Sequence, residues 1–209
     1  MKQLFSLLAG MFILAGAAFA QEVAPDALVK NVTEEVLTIV RADKDIQSGN
    51  SKKAIELVEA KVLPHFNFAR MTSLAVGKDW NKASPEQKKR LAKEFETLLV
   101  RTYSNALTEY KSQTIVYKPL KMEAGATDVL VRTEIRQPGR QAVQLDYQLE
   151  KADNGAWKVF DVVVAGISLV TNYRESFAQE VRNGGIDGLI ASIAAKNKQV
   201  EASRAEKKS

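Results

Sequence analysis

Past Ser112 the apolar residues change from the three-to-four spacing of helices to strict alternation, which confines the chain to helices followed by an antiparallel sheet. Before the change, Leu28, Val32, Val36, Ile39 and Val40 share one helical face after Pro25-Asp26. Asn50 or Ser51 caps a second helix, whose stripe is Ala54, Ile55, Val58 and Val62 and whose stop is Pro64. A short helix is predicted over 67–76, with Gly77 free to turn left-handed at its end. The strongest start signal is Ser84-Pro85-Glu86-Gln87, a cap, a first-turn proline and a residue able to close a capping box. The stripe that follows, Leu91, Phe95, Leu98, Leu99, Tyr103, Ala106 and Tyr110, predicts a long amphipathic helix lying on the sheet.

After the change, a short strand is predicted over 114–117. Val129, Val131, Thr133 and Ile135 then alternate with Leu130, Arg132, Glu134 and Arg136. Gln137-Pro138-Gly139-Arg140 turns the chain, and Val143, Leu145, Tyr147 and Leu149 form the apolar side of the return strand. The neighbour over 157–165 keeps its alternation only to Asp161. Beyond it Val162-Val163-Val164 predicts burial on both faces, or a strand outrunning the sheet. Helices are predicted over 171–182 and 186–195, parted by Asn183-Gly184-Gly185, and 196–209 reads as a charged, frayed tail. Helices followed by a meander indicate an α+β fold.

The amino terminus has its own logic. Lys2, an apolar run from Leu4 to Ala18 and the small-x-small site Ala18-Phe19-Ala20 read as a secretory signal over 1–20. Removing twenty of the 209 residues leaves 189 and costs one charge, Lys2, so +5 becomes +4. That length suits one domain, soluble and expected in the periplasm, large enough for a core and a separate cavity. There is no cysteine for a disulfide or a lipid anchor. The positive charge is spread along the chain without a basic stripe and interleaved aromatics, so no nucleic-acid partner is expected.

Catalytic machinery is hard to assemble. With His65 the one histidine, neither a histidine-based triad nor a multi-histidine metal site forms, and no metal or cofactor is expected. His65 follows Pro64 between apolar residues, a packing or capping position. The enzymatic alternative is a cavity isomerase or hydratase that draws on Asp146, Tyr147, Asp161 and Tyr103. Alternation sets Asp146 on the opposite face from Tyr147. Asp161 shares a predicted face with Trp157, Val159 and Val163, which leaves it as the carboxylate to check. A third reading is an adaptor whose groove receives a protein or lipoprotein.

The segment Val162 to Arg174 stays apolar through Gly166 and ends in Asn172, Tyr173 and Arg174, which suits a receptor for an apolar ligand with a polar head. It resembles the corresponding segment of the MlaC family, soluble periplasmic phospholipid carriers also called toluene-tolerance or Ttg-type substrate-binding proteins. The likeness runs through Val62-Leu63-Pro64-His65-Phe66, Phe95, Leu98-Leu99, Thr102-Tyr103, Leu107, Trp157-Lys158-Val159-Phe160-Asp161 and Gly185-Ile186-Asp187-Gly188-Leu189. The resemblance implies a curved sheet of four or five strands with nuclear-transport-factor-2-like helix packing. It also implies one lipid-binding domain over 21–195, with an amino-terminal helical lobe.

By the same resemblance the ligand is a diacyl phospholipid. The carrier shuttles it between an outer-membrane complex containing MlaA and an inner-membrane ABC transporter containing MlaD, so preserving outer-membrane lipid asymmetry. Its contacts with these complexes are transient and the carrier is expected to be a monomer. About 30 methylene groups at ~0.8 kcal/mol each make the bare transfer of such a lipid through water cost ~20–25 kcal/mol. A carrier therefore needs a deep apolar cavity, expected near the upper end of ~300–1,000 Å³. The candidate wall is Leu99, Tyr103 and Ala106 from the long helix, Val131, Val143, Leu145 and Tyr147 from the sheet, and Ile167, Leu169 and Tyr173 from the opening segment. Arg174 is the candidate for the head group.

Overall fold

The computed structural model describes residues 23–206, so the proposed signal segment lies outside the described residues. Six α-helices and five strands follow in chain order: α1 Pro25–Ala42, α2 Lys44–Gln47, α3 Ser51–Lys61, α4 Phe68–Val76, α5 Pro85–Tyr103, β1 Thr114–Tyr117, β2 Asp128–Arg136, β3 Val143–Lys151, β4 Trp157–Val164, β5 Ile167–Ser168 and α6 Arg174–Glu206. The predicted starts hold for chemical reasons. Asn50 accepts from the Lys53 amide, Asn67 from that of Arg70, and Ser84 and Gln87 close a full capping box ahead of Pro85. Among the described residues no helix is long and apolar enough to cross a membrane.

The five strands form one antiparallel meander in the order β1-β2-β3-β4-β5. Pairings such as Ile115 with Ile135, Thr133 with Leu145 and Val131 with Tyr147 put the apolar residues of each strand on one face. One irregularity matters. Gln148 pairs with Asp161 and Leu149 with Val159, so Phe160 is an extra residue, a β-bulge. The bulge reverses the phase of β4. Val159 faces inward before it, Val162 and Val164 face inward after it, and Asp161 goes outward with Gln148. This accounts for the lost alternation past Asp161 and corrects the expectation that Asp161 shares a face with Val159. Beyond Val164 the chain turns back through Ala165 and Gly166, both at positive φ, into the two-residue β5.

Two helical layers pack this sheet. α1 crosses the inward face, where Val29 is buried with Val129, Val131, Leu149, Trp157 and Val159. α5 does not lie on the sheet as its stripe suggested. It packs chiefly on α4 and α6, and Leu91, Phe95, Leu98 and Leu99 make a second core with Met71, Phe177, Leu189 and Ile190. Arg70 fastens this helical body to the outward face of the sheet. Its guanidinium lies 3.7 Å from the centroid of Phe160 and bridges Glu150 and Asp128, the latter at 2.7 Å. A third, smaller core joins Val36 and Val40 to Ile46 and Leu57.

α6 is two helices joined at Gly185, where φ 67° and ψ −167° need a residue without Cβ. Its second half does not end at Ala195. It continues to Glu206, because Asn197 is buried against α5 and donates to the Glu94 carbonyl and carboxylate, while Arg101 donates to the Asn197 carbonyl and pairs with Glu201. Polar docking holds a segment that lacks an apolar stripe.

Candidate functional site

Between α1 and the inward face of the sheet lies a cavity of about 440 Å³. From α1 come Leu28, Val32, Thr33, Val36 and Leu37, spaced to share one face. From the sheet come Ile115, Ile135, Leu145, Tyr147 and Val159, and from the connections Val62, His65, Phe66, Ala106, Leu107, Glu109, Tyr110 and Gln113. The wall is overwhelmingly hydrocarbon. Ala106 and Glu109 lie toward the end that opens to water. Its rim is braced by Tyr110, whose hydroxyl accepts from Arg41 at 2.7 Å and donates to the Gln113 carbonyl at 2.9 Å. The volume falls in the lower half of the expected range, and Val29 of α1 also lines the cavity, where it is buried with Val129, Val131 and Leu149.

Of the ten wall candidates, Ala106, Leu145 and Tyr147 line this cavity. Val131 faces inward but is buried beneath α1. Val143 and Ile167 lie at the inward end of the sheet beyond the wall, and Ile167 is 61% exposed. Leu99 and Tyr173 belong to the helical body, where Tyr173 meets Phe95 edge-on at 5.2 Å. Tyr103 is exposed beside it, and Leu169 donates its amide to the Val162 carbonyl on leaving β5. Arg174 is apart from the cavity too. Its guanidinium donates twice to the Leu74 carbonyl, at 3.1 and 2.9 Å, which holds α6 to α4.

Sequence reasoning misses the contribution of α1 to the wall, although the stripe itself is legible. Stripe spacing shows that a helix has a buried face; it does not show which surface buries it.

Among the described residues the titratable groups do not converge on a reactive centre. Asp161 is buried on the outward face, accepting from Ser168 Oγ, Gln148 Nε2 and the Val170 amide, and burial raises its pKa. Asp146 is also outward and buried, with one oxygen bonded to Gln144 and the other unpartnered. His65 does line the cavity. Burial, aided by the nearby Lys158 ammonium, pushes its imidazole below the usual range, and the carboxylate that acts on it is Glu35 of α1, not Glu109 of the wall. Tyr147 is pushed up to about 12 by burial. A phenol so hard to ionise is a hydrogen-bond donor rather than a base. Among the described residues no cluster of three or more acidic or histidine side chains is placed to hold a metal ion.

Comparison with known proteins agrees with this geometry. The family described as MlaC protein matches residues 30–195. The chain is 26% identical over 184 residues to the intermembrane phospholipid transport system binding protein MlaC of Haemophilus influenzae, covering 87% of this chain and 86% of that one. It is 29% identical over 213 residues to the toluene tolerance protein ttg2D of Pseudomonas putida, covering 99% and 96%. Among solved structures it is similar to a phospholipid-binding protein from Ralstonia solanacearum in complex with a phospholipid. That match has a TM-score of 0.78 at 37% identity and covers 86% of this chain and 99% of the other.

Proposed function

Because the chain belongs to the MlaC family, we propose that it is a non-enzymatic periplasmic carrier that takes a diacyl phospholipid into the cavity beneath α1 and ferries it between the two membranes. One observation carries the reading: a hollow walled by hydrocarbon between helix and sheet, open to water at one end. Acyl burial supplies the affinity, at ~25 cal/mol per Å² of apolar surface removed from water, and the hydrated head group needs little machinery at the mouth. The proposed exchange partners are an inner-membrane ABC transporter containing MlaD and an outer-membrane complex containing MlaA, met transiently by a monomer. Lipid asymmetry of the outer membrane is the proposed outcome, and residues 1–20 are the proposed secretion signal.

Phospholipid in the related Ralstonia structure supports the ligand class. The outward placement of Asp146 and Asp161 speaks against a cavity isomerase, since neither carboxylate reaches the wall. Mass spectrometry of protein purified without detergent tests the proposal. Stoichiometric diacyl phospholipid is the expected result. A lipid-free protein that binds hydrophobic peptides, or turns over a small carbonyl compound, would replace it.

A further inference from the structure

Where α1 passes over the sheet three hydroxyls gather at or just behind this hydrocarbon wall: Thr33 of α1, Tyr117 of β1 and Tyr147 of β3. Thr33 and Tyr147 line the cavity and Tyr117 stands beside them. Burial raises both phenols, Thr33 acts on each in the opposite sense, and the two tyrosines are close enough to influence one another. The approach of Thr33 to Tyr117 falls short of a formed hydrogen bond, so Tyr117 Oη is buried with no partner. Native interiors seldom leave a hydroxyl in that state, and such a group calls for a partner from outside the fold. Both phenols stay protonated at neutral pH, so the site offers donors and asks for an acceptor without a full charge. On the same side the Lys30 ammonium lies 6.0 Å from the Tyr117 ring centroid and 4.0 Å from the Glu34 carboxylate, so this flank carries an offsetting pair of charges rather than a net one.

We propose that Tyr117, Tyr147 and Thr33 form a subsite for an acyl ester carbonyl of the bound phospholipid, with Tyr117 as the principal donor. The inference rests on the carrier reading and adds what that reading lacks, a fixed depth for the glycerol backbone between α1 and β1. Tails alone slide in an apolar hollow. A carbonyl held at one height sets which end of the lipid stays at the mouth.

Ester and ether phosphatidylcholines of equal chain length differ in that carbonyl and supply the test. The purified protein is equilibrated with vesicles containing equal amounts of both, recovered, and its bound lipids are quantified by mass spectrometry. The wild type is expected to retain the ester lipid roughly tenfold over the ether lipid, the effect of a buried donor left unpaired by the ether. In Tyr117→Phe the ratio is expected to fall toward one, with Thr33→Val moving it the same way and circular dichroism reporting the fold. Equal retention of both lipids by the wild type, or an unchanged ratio in Tyr117→Phe, overturns the subsite and leaves carriage standing. Failure to retain either lipid overturns carriage itself.

Discussion

Ser168 Oγ donates to Asp161 Oδ2 at 2.5 Å and accepts from the Thr171 amide at 2.9 Å, so one serine couples the outward face of β4 to the turn that enters the helical body. Asp161 completes the junction by accepting from the Val170 amide at 3.2 Å. This carboxylate serves architecture, on the face of the sheet away from the cavity.

Asp161→Ala is therefore expected to lower stability by about 2–3 kcal/mol, since Ser168 and the Val170 amide lose their acceptor inside the fold. Chemical denaturation measures this. Asp161→Asn is expected to leave lipid occupancy at the wild-type level, and an occupancy loss would place the carboxylate at the ligand after all. The pH dependence has a definite sign. Because burial raises the folded pKa above the ordinary 3.8, the folded chain takes up this proton before the unfolded chain does. Stability from this group rises as pH falls from neutral through the raised pKa, and that gain is absent in Asp161→Asn.

Leu145 and Ile167 separate cavity wall from exposed rim. Leu145→Glu puts a carboxylate into the hydrocarbon wall and is expected to cut co-purified lipid at least tenfold, consistent with the several kcal/mol cost of an unpaired buried charge. Ile167→Glu, at a position already facing water, is expected to leave most of the lipid in place. Mass spectrometry under native conditions reads both, and equal losses would mean that the ligand reaches beyond the cavity to β5.

Glu134 lies between Arg136 at 2.5 Å and Lys118 at 2.7 Å on the outward face, and its carboxyl is held down to about 2. A carbon-detected NMR titration is expected to find that midpoint, with Arg136→Ala raising it toward 4.5. A depressed folded value means that the stabilisation from this cluster is complete above the ordinary pKa and is lost as pH falls toward 2. A midpoint near 4.5 in the wild type would show that the ion pairs do not persist in solution.

Gly185 joins the halves of α6 in a conformation that a side chain resists. Gly185→Ala is expected to cost about 1–3 kcal/mol through backbone strain, read as a shift in the denaturation midpoint. No neighbouring atom lies within 4 Å of the added Cβ, so a neutral result would mean that the helices re-join at another angle without penalty.

Local chemistry makes much of this fold legible in the sequence. The capping box at Ser84, the Asn50 and Asn67 caps and the alternation of β2 and β3 depend on neighbours along the chain, and each stands where spacing puts it. The site is less legible because it depends on which helix meets which surface. The stripes of α1 and α5 look alike, but α1 roofs the cavity while Leu99 of α5 fills a helical core. The bulge at Phe160 is legible only indirectly, because the alternation that stops at Asp161 fits burial on both faces of an unbroken strand equally well.

That bulge decides what the chamber contains. Keep Phe160 but pair it regularly with Gln148, without the bulge, and Asp161 falls opposite Tyr147 with its carboxylate turned toward the lumen, while Val162 passes to the outward face. An oily container would become one with an acid in its lining. Inert storage in this architecture hangs on the parity of one short stretch of chain.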